Sequence, residues 1–262
     1  MTTDAALVYA VDSGIARITL NRPDLANALT HEMSTLLGEA VDAIASDPQV
    51  RVVVMTGTGA MFSAGGDIRE FIKLGDRLAE SVNVSLGAFN TTLAKLAALP
   101  VPVITALNGS VAGGGIGLAL SADIVIAAES ARFRAGYAAI GLSPDAGTSY
   151  FLTRLIGPQR AKEFLFTNRF LDAREALAIG LVARVVPDDR LAAESDELAR
   201  TIASMPAGSH AAVKRLVDAA ATLSHPEMLE RERGLMVANM ASADAREGIR
   251  AFMERRRPAF AG

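Results

Sequence analysis

The sequence predicts an α/β fold in which strands, turns and helices follow one another along a chain of 262 residues. Three almost wholly apolar runs, at residues 50–55, 103–107 and 124–127, are typical of strands that are buried on both faces of a parallel sheet. Helical spacing of apolar residues separates these runs, and this alternation of strands and helices indicates an α/β core. Half of the residues are hydrophobic, so the chain can bury a sizeable core.

The first half of the chain contains further periodic segments. Two strands joined by a turn and three helices are predicted there, at residues 7–11, 15–20, 30–46, 84–99 and 114–121. Thr30 is suited to cap the first of these helices, because its side chain can accept a hydrogen bond from the first turn.

From residue 158 onward the pattern becomes mainly helical. Six helices and one short strand are predicted, at residues 159–166, 173–179, 191–204, 207–221, 226–240, 243–255 and, for the strand, 183–186. We therefore divide the chain into a core at residues 1–205 and a C-terminal helical region at residues 206–262. Apolar positions of that region, including Leu229, Met236 and Phe252, need a partner surface in the same subunit or in another one.

Composition and missing motifs exclude several classes of function. The formal net charge of −3 provides no electrostatic footprint for nucleic acid, and the absence of cysteine excludes thiolate catalysis. The three histidines lie at no metal-ligand spacing, so no metal site is expected. The uncharged stretch at residues 101–122 contains a proline and several glycines, which favours a buried strand–turn–helix over a membrane span. With no leader pattern at the N-terminus, we expect a cytoplasmic protein with no nucleic-acid or membrane partner.

Two glycine-rich turns, at residues 62–68 and 108–115, each follow an apolar strand-like run. Glycine allows a ligand to approach the backbone closely, and the N-terminus of a helix offers unpaired N–H groups. Two such donors that converge on one carbonyl oxygen form an oxyanion hole. The alternative is that both segments are tight turns of a packed α/β protein.

The motifs together resemble those of the enoyl-CoA hydratase/isomerase, or crotonase, superfamily, over nearly the whole chain. The segments that carry the resemblance are residues 20–23 (LNRP), 27–29 (NAL), 62–68 (FSAGGDI), 108–109 (NG), 113–115 (GGG), 122–124 (ADI), 141–142 (GL), 180–182 (GLV) and 252–258 (FMERRRP). The resemblance implies a superhelix of ββα units with a C-terminal helical region that mediates trimers, and hence a homotrimer or hexamer. It also implies an acyl-CoA thioester as substrate, with coenzyme A as part of that substrate and no further cofactor.

The resemblance also assigns site residues. The backbone N–H groups of Gly66 and Gly114 would hold the thioester carbonyl oxygen and stabilise an enolate. The substrate and its coenzyme A moiety would be bound by residues around the first turn, near the N-terminal motif and in the acyl pocket, namely Ala26, Ala28, Ala64, Gly65, Asp67, Ile68, Tyr137 and Leu142.

The chain departs from the hydratase pattern at two positions. Hydratases of this superfamily use two glutamates, where this sequence has Gly117 and Tyr137. A glycine and a neutral phenol cannot hold and polarise water as two carboxylates do, which puts ordinary hydration in doubt.

Asp145 is the acid that we place at the acyl pocket instead. The superfamily's isomerases carry an acid at a matching place, where one carboxylate can move a proton from C2 to C4. Apolar neighbours such as Ile140, Leu142 and Phe151 would raise its pKa. The alternative role for Asp145 is the N-cap of a helix that starts near Ala146.

An enoyl-CoA isomerase is therefore the leading hypothesis, and a hydratase or another lyase or hydrolase of the superfamily is the alternative. An aryl-CoA dehalogenase ranks third, because those enzymes carry tryptophan and histidine where this chain has Tyr137 and Asn90. A non-enzymatic acyl-CoA-binding scaffold is the remaining hypothesis, and it gives no reason for an oxyanion hole beside an aspartate.

Overall fold

A computed structural model describes residues 5–260, which form two sheets surrounded by helices. The strands are β1 (Leu7–Asp12), β2 (Ile15–Leu20), β3 (Val52–Gly57), β4 (Met61–Ser63), β5 (Val103–Leu107), β6 (Ser110–Ala112), β7 (Ile124–Ala128), β8 (Arg132–Arg134), β9 (Phe170–Asp172) and β10 (Arg184–Val186). The α-helices are α1 (His31–Ser46), α2 (Ile68–Leu74), α3 (Leu78–Ala98), α4 (Gly114–Leu120), α5 (Thr148–Thr167), α6 (Ala173–Ala178), α7 (Leu191–Ala203), α8 (Ala207–Ala219), α9 (His225–Met240) and α10 (Ala243–Met253).

The strands are distributed over the two sheets in a regular way. The larger sheet has the order β1-β2-β3-β5-β7-β10 and is parallel except for β1, and the smaller sheet has the order β4-β6-β8-β9. In the pairs β3–β4, β5–β6 and β7–β8, the first strand joins the larger sheet, the second joins the smaller one, and a helix follows. This repetition confirms the predicted α/β class and the superhelix of ββα units.

The smaller sheet was not predicted from the sequence. Each of its strands has three residues, which is too short for an alternating pattern to stand out. The helix predicted from residue 84 begins at Leu78 instead, and the one predicted from residue 159 is the second half of α5. Helix α5 is kinked at Gly157, which has a φ of 78° and precedes Pro158.

The predicted N-terminal elements and the central strands are confirmed. Strands β1 and β2 form an antiparallel pair, and the Thr30 side chain accepts a hydrogen bond from the Met33 N–H at the start of α1. All five residues of β5 are buried, as expected for a central parallel strand. The uncharged stretch at residues 101–122 forms β5, β6 and α4 inside the core.

The C-terminal region is helical as predicted and is tied to the core by polar contacts. Lys214 on α8 forms a 2.9 Å ion pair with Asp123. Directly before this region, Arg51 donates a 2.8 Å hydrogen bond to the carbonyl oxygen of Met205. The division at residue 205 stays a prediction. Among residues 5–260, none of the helices combines the length and apolar character that crossing a bilayer requires.

Candidate active site

The two glycine-rich turns lie against each other at one edge of the larger sheet. Strands β3 and β5 are parallel neighbours, so the segments that follow them leave the sheet at the same edge. A Cβ atom placed on Gly65 would lie 2.9 Å from the Ala112 carbonyl oxygen and 3.1 Å from the Gly114 nitrogen. Gly65 and Gly113 also have positive φ angles of 85° and 52°. Glycine is therefore required here both by the close backbone approach and by the backbone conformation.

Both predicted donor N–H groups are left unpaired by this arrangement. Leu29 and Gly66 form an isolated parallel bridge, but its hydrogen bonds use the Gly65 carbonyl and the Asp67 N–H. The Gly66 N–H thus takes no part in the bridge. Gly114 is the first residue of α4, where an N–H has no partner within the helix. Over residues 5–260 no hydrogen bond from either N–H is found.

The N-terminal motif packs directly beside the first turn. Ala64 donates a 2.9 Å hydrogen bond to the Ala26 carbonyl, and Leu29 donates a 2.7 Å bond to the Gly65 carbonyl. The fully buried Asn27 anchors this segment, because its amide donates to the carbonyl oxygens of Thr58 and Met61. The structure therefore brings the predicted residues around Ala26 and Ala28 to the predicted turn.

Asp67 is committed to contacts within the protein. Its carboxylate accepts hydrogen bonds from Arg69 at 2.9 and 2.7 Å and lies 3.5 Å from Nη2 of Arg22. It also caps the N-terminus of α2 by accepting the Arg69 backbone N–H. The side-chain hydrogen bond from Arg69 holds the pKa of Asp67 below its ordinary value, in spite of burial. Its predicted contact with coenzyme A stays a prediction.

Asp145 lies next to the second turn, and its carboxylate accepts a hydrogen bond from a buried side chain. A Cβ atom placed on Gly114 would lie 3.0 Å from Oδ1 of Asp145. The Tyr137 hydroxyl donates a 2.7 Å hydrogen bond to the same oxygen, and it lies 3.1 Å from the Thr148 hydroxyl. Burial raises the pKa of Asp145 above its ordinary value, and the hydrogen bond from Tyr137 offsets part of this rise.

The alternative role of Asp145 as a helix cap is not found. Helix α5 begins at Thr148 and its N-cap is Gly147, with no side-chain cap. The Thr148 N–H is bonded at 2.8 Å to the backbone carbonyl of Asp145, which leaves the carboxylate outside the cap. The chain reaches this arrangement through two consecutive positive φ angles, 51° at Ala146 and 74° at Gly147.

Gly66, Gly114 and Asp145 line one cavity of about 740 Å³. Its apolar walls come from the start of α1 and from α2 and α3, and comprise Leu29, Phe71, Leu74, Val82, Val84, Leu86 and Phe89. Its polar residues are Thr30, His31, Ser34, Glu70, Lys73, Arg77, Glu80, Ser81 and Ser85. Two N–H donors and a carboxylate thus meet in a largely apolar space, which suits the stabilisation of a developing oxyanion next to a base.

The other predicted site residues lie outside the wall of this cavity. They are Ala26, Ala28, Ala64, Gly65, Asp67, Ile68, Tyr137 and Leu142. Tyr137, predicted as a wall of the acyl pocket, is buried and contacts the carboxylate of Asp145. Leu142 and Ile140 are half exposed, and their predicted contact with Asp145 stays a prediction.

Sequence reasoning missed Phe71, Phe89 and Thr148. The two phenylalanines reach the cavity from α2 and α3, and no local pattern marks which face of these helices lines a cavity. Thr148 is fully buried behind Tyr137. The signal that could have found Thr148 was a hydroxyl side chain three residues after Asp145. Within residues 5–260 no group of three histidine, aspartate or glutamate side chains is placed to hold a metal ion.

Gly117 lies on helix α4 at the point where this helix contacts the backbone of the loop that carries Asp145. A Cβ atom on Gly117 would collide with the carbonyl oxygen of Ala146. The space that a longer side chain would need, such as the glutamate of the hydratases, is therefore occupied by the backbone next to Asp145.

Comparison with known proteins shows the family and the fold of this chain. The family model described as enoyl-CoA hydratase/isomerase matches residues 10–262. A 1,2-epoxyphenylacetyl-CoA isomerase of Escherichia coli is 36% identical over 96% of this chain and 97% of its own length. A probable enoyl-CoA hydratase of Mycobacterium bovis is 38% identical over 99% of both chains. The crystal structure of a putative enoyl-CoA hydratase/isomerase from Mycobacterium abscessus superposes with a TM-score of 0.93 at 36% identity, covering 98% of this chain and 100% of that one.

Proposed function

The chain belongs to the enoyl-CoA hydratase/isomerase family, and we propose that within this family it is an isomerase that shifts a double bond in an enoyl-CoA thioester. The observation that carries the proposal is the meeting of two unpaired N–H groups, those of Gly66 and Gly114, with one carboxylate, that of Asp145. The reaction is the 3-enoyl to 2-enoyl shift or a related ring-opening isomerisation.

The two N–H groups are proposed to hold the thioester oxygen. Removal of a proton from C2 places negative charge on that oxygen, and donors fixed in advance stabilise the resulting enolate. The backbone of Gly66 is fixed by the bridge to Leu29, and that of Gly114 by the start of α4. Both donors are therefore held in place before substrate binds.

Asp145 is proposed to carry the proton. Its ionised carboxylate takes the C2 proton while the electrons of that bond pass into the enolate conjugated with the 3,4 double bond. The protonated carboxyl then returns the proton to C4, which restores the carboxylate and leaves the double bond between C2 and C3. No atom is gained or lost, so one carboxylate suffices. A pKa raised by burial makes Asp145 a stronger base than an exposed aspartate.

The local structure favours isomerisation over hydration. Hydration needs a water held between two acids, and Gly117 offers no side chain for this purpose. The Ala146 carbonyl lies where such a side chain would begin. The Escherichia coli relative is named an isomerase, which supports the same assignment.

A hydratase is the second candidate function, because the Mycobacterium bovis relative is named a probable enoyl-CoA hydratase. The dehalogenase hypothesis gains no support. Asn90, the position at which those enzymes carry their histidine, lies exposed on α3 and does not line the cavity.

The test is an incubation with a panel of 3-enoyl-CoA and 2-enoyl-CoA thioesters in D₂O, followed by mass spectrometry and NMR. An isomerase interconverts the two without adding the mass of water, and it incorporates deuterium at C2 and C4 to the extent that the carboxyl proton exchanges with solvent between the two transfers. Addition of water to the 2-enoyl thioesters, with no double-bond shift, would overturn the isomerase proposal in favour of the hydratase.

A further inference from the structure

We infer that Tyr137 and Thr148 are positioning residues that hold one carboxylate oxygen of Asp145, so that the other oxygen alone exchanges the proton with the acyl group. The inference rests on the proposed function, in which Asp145 is the base. It concerns how the protein makes one particular oxygen of that base available.

The direction of the hydrogen bonds follows from proton counting. The Tyr137 hydroxyl has a single proton, which it donates to Oδ1 of Asp145 at 2.7 Å. At the 3.1 Å contact between the two hydroxyl groups, Thr148 must therefore be the donor. The three groups form a chain in which Thr148 donates to Tyr137 and Tyr137 donates to Asp145.

This hydrogen-bonded chain of three side chains lies inside the protein, where no water can replace one of its hydrogen-bond partners. Thr148 is 0% exposed and Tyr137 is 7% exposed. Over residues 5–260, the hydrogen bond to Tyr137 is the one found for the Thr148 hydroxyl. A buried hydroxyl group without a partner is costly, so the Thr148 hydroxyl holds the Tyr137 oxygen in place.

The two oxygens of Asp145 are consequently different. Oδ1 accepts the Tyr137 proton, whereas no hydrogen bond from another side chain to Oδ2 is found among residues 5–260. Asp145 lines the cavity beside Gly66 and Gly114. We assign the proton exchange to Oδ2 because the Tyr137 hydroxyl occupies Oδ1. Fixing the orientation of a base in this way reduces the reorganisation that proton transfer needs.

The charge environment supports this assignment. Burial, together with the charge of Asp145, raises the pKa of Tyr137 well above its ordinary value, so Tyr137 stays a donor at neutral pH. Helix α4, which packs against Asp145, carries no charged residue. The other ionisable residues of the cavity are His31, Glu70, Lys73, Arg77 and Glu80. Within residues 5–260 none of them is found hydrogen-bonded to Asp145.

The test compares Tyr137→Phe, Thr148→Val and Thr148→Ser in the pH profile of the isomerase reaction. Tyr137→Phe removes a hydrogen bond that stabilises the carboxylate, so the acidic limb should move to higher pH and kcat should fall by about tenfold, with KM little changed. Thr148→Val should also move the acidic limb to higher pH, but by a smaller amount than Tyr137→Phe. Thr148→Ser keeps the hydroxyl and should leave the acidic limb where the wild type has it. Tyr150→Phe removes the hydroxyl of an exposed tyrosine on the same helix and should change nothing.

The inference is overturned if Tyr137→Phe and Thr148→Val lower the melting temperature but leave the acidic limb in place, since both residues would then be merely structural. Loss of activity in Asp145→Asn in the same experiment would keep the proposed function standing. Full activity in Asp145→Asn would overturn the proposed function itself. If Tyr137→Phe does not fold, the Thr148→Val and Thr148→Ser pair decides alone.

Discussion

The carbonyl oxygen of Ala146 lies where the side chain of any residue larger than glycine at position 117 would begin. Helix α4 and the loop that carries Asp145 are therefore in backbone contact. The carboxylate lies beside Gly114, three residues earlier on the same helix. The absence of a side chain at Gly117 therefore allows the close packing that sets the position of the Asp145 carboxylate.

Gly117→Ala is expected to lower both activity and stability. The added Cβ must displace the backbone at Ala146, because a backbone atom cannot rotate away as a flexible side chain can. Overpacking of this kind costs about 1–3 kcal/mol in the free energy of unfolding. Gly234→Ala on α9 is the matched control, because a Cβ there meets nothing within 4 Å. Chemical denaturation and isomerase activity are measured for both. Equal behaviour of the two variants would contradict the packing argument.

Gly66→Pro should reduce kcat by about 10²–10³, since it removes one of the two oxyanion donors. Gly66→Ala is the matched control, because it adds a Cβ that meets the Phe71 ring at 3.2 Å but keeps the N–H. The same comparison applies to Gly114→Pro, where proline suits the first position of a helix. The measurement is steady-state kinetics, made on variants whose circular dichroism spectra match that of the wild type. The donor assignment fails if the proline and alanine variants are equally active.

Asp145→Asn should reduce kcat by about 10²–10⁴, because an amide cannot accept the C2 proton. Its oxygen can still accept the hydrogen bond from Tyr137, so the local structure should persist. The loss should far exceed that in Tyr137→Phe, which keeps the base. Deuterium exchange at C2 isolates the proton-transfer step. A variant that exchanges at the wild-type rate would return Asp145 to a structural role.

Asp145→Asn should also make the protein more stable relative to wild type as pH rises. Burial raises the pKa of Asp145 in the folded state, so the carboxyl contributes stability while it is protonated. That contribution is full below the unfolded-state pKa of about 3.9 and is lost as pH rises through the folded-state pKa. Melting temperatures of both proteins, measured from acid to neutral pH, should diverge across this window in favour of the variant. Parallel curves would show that burial does not disfavour the ionised form.

The protein is expected to form a homotrimer or a dimer of trimers through the region after residue 205. Apolar side chains of that region are exposed in the single chain, among them Val213, Val217, Leu229, Met236, Val237, Met240, Ile249, Phe252 and Met253. A cavity of about 790 Å³ with largely apolar walls also opens between α8, α9 and α10. Such surfaces are typical of contacts between subunits. Light scattering at micromolar concentration measures the assembly, and a monomer there would rule it out.

The sequence by itself determined the α/β class, most helices and long strands, and the two glycine-rich turns. These features depend on local signals: apolar periodicity, caps such as Thr30, and glycine where the backbone must turn. Resemblance to a known family then led to Asp145 as the acid at the acyl pocket. The short strands of the smaller sheet and the start of α3 carry no comparable local signal, and only tertiary contacts revealed them.

Only the tertiary structure decided how the candidate site is put together. The parallel pairing of β3 with β5 brings Gly66 and Gly114 to one edge of the sheet. The Asp145 carboxylate lies beside Gly114 of α4 and does not cap α5, and a hydrogen bond from Tyr137 binds one of its oxygens. These relationships join residues that are distant in sequence or depend on side-chain orientation. No pattern along the chain encodes them, because they arise when the separate elements are packed together.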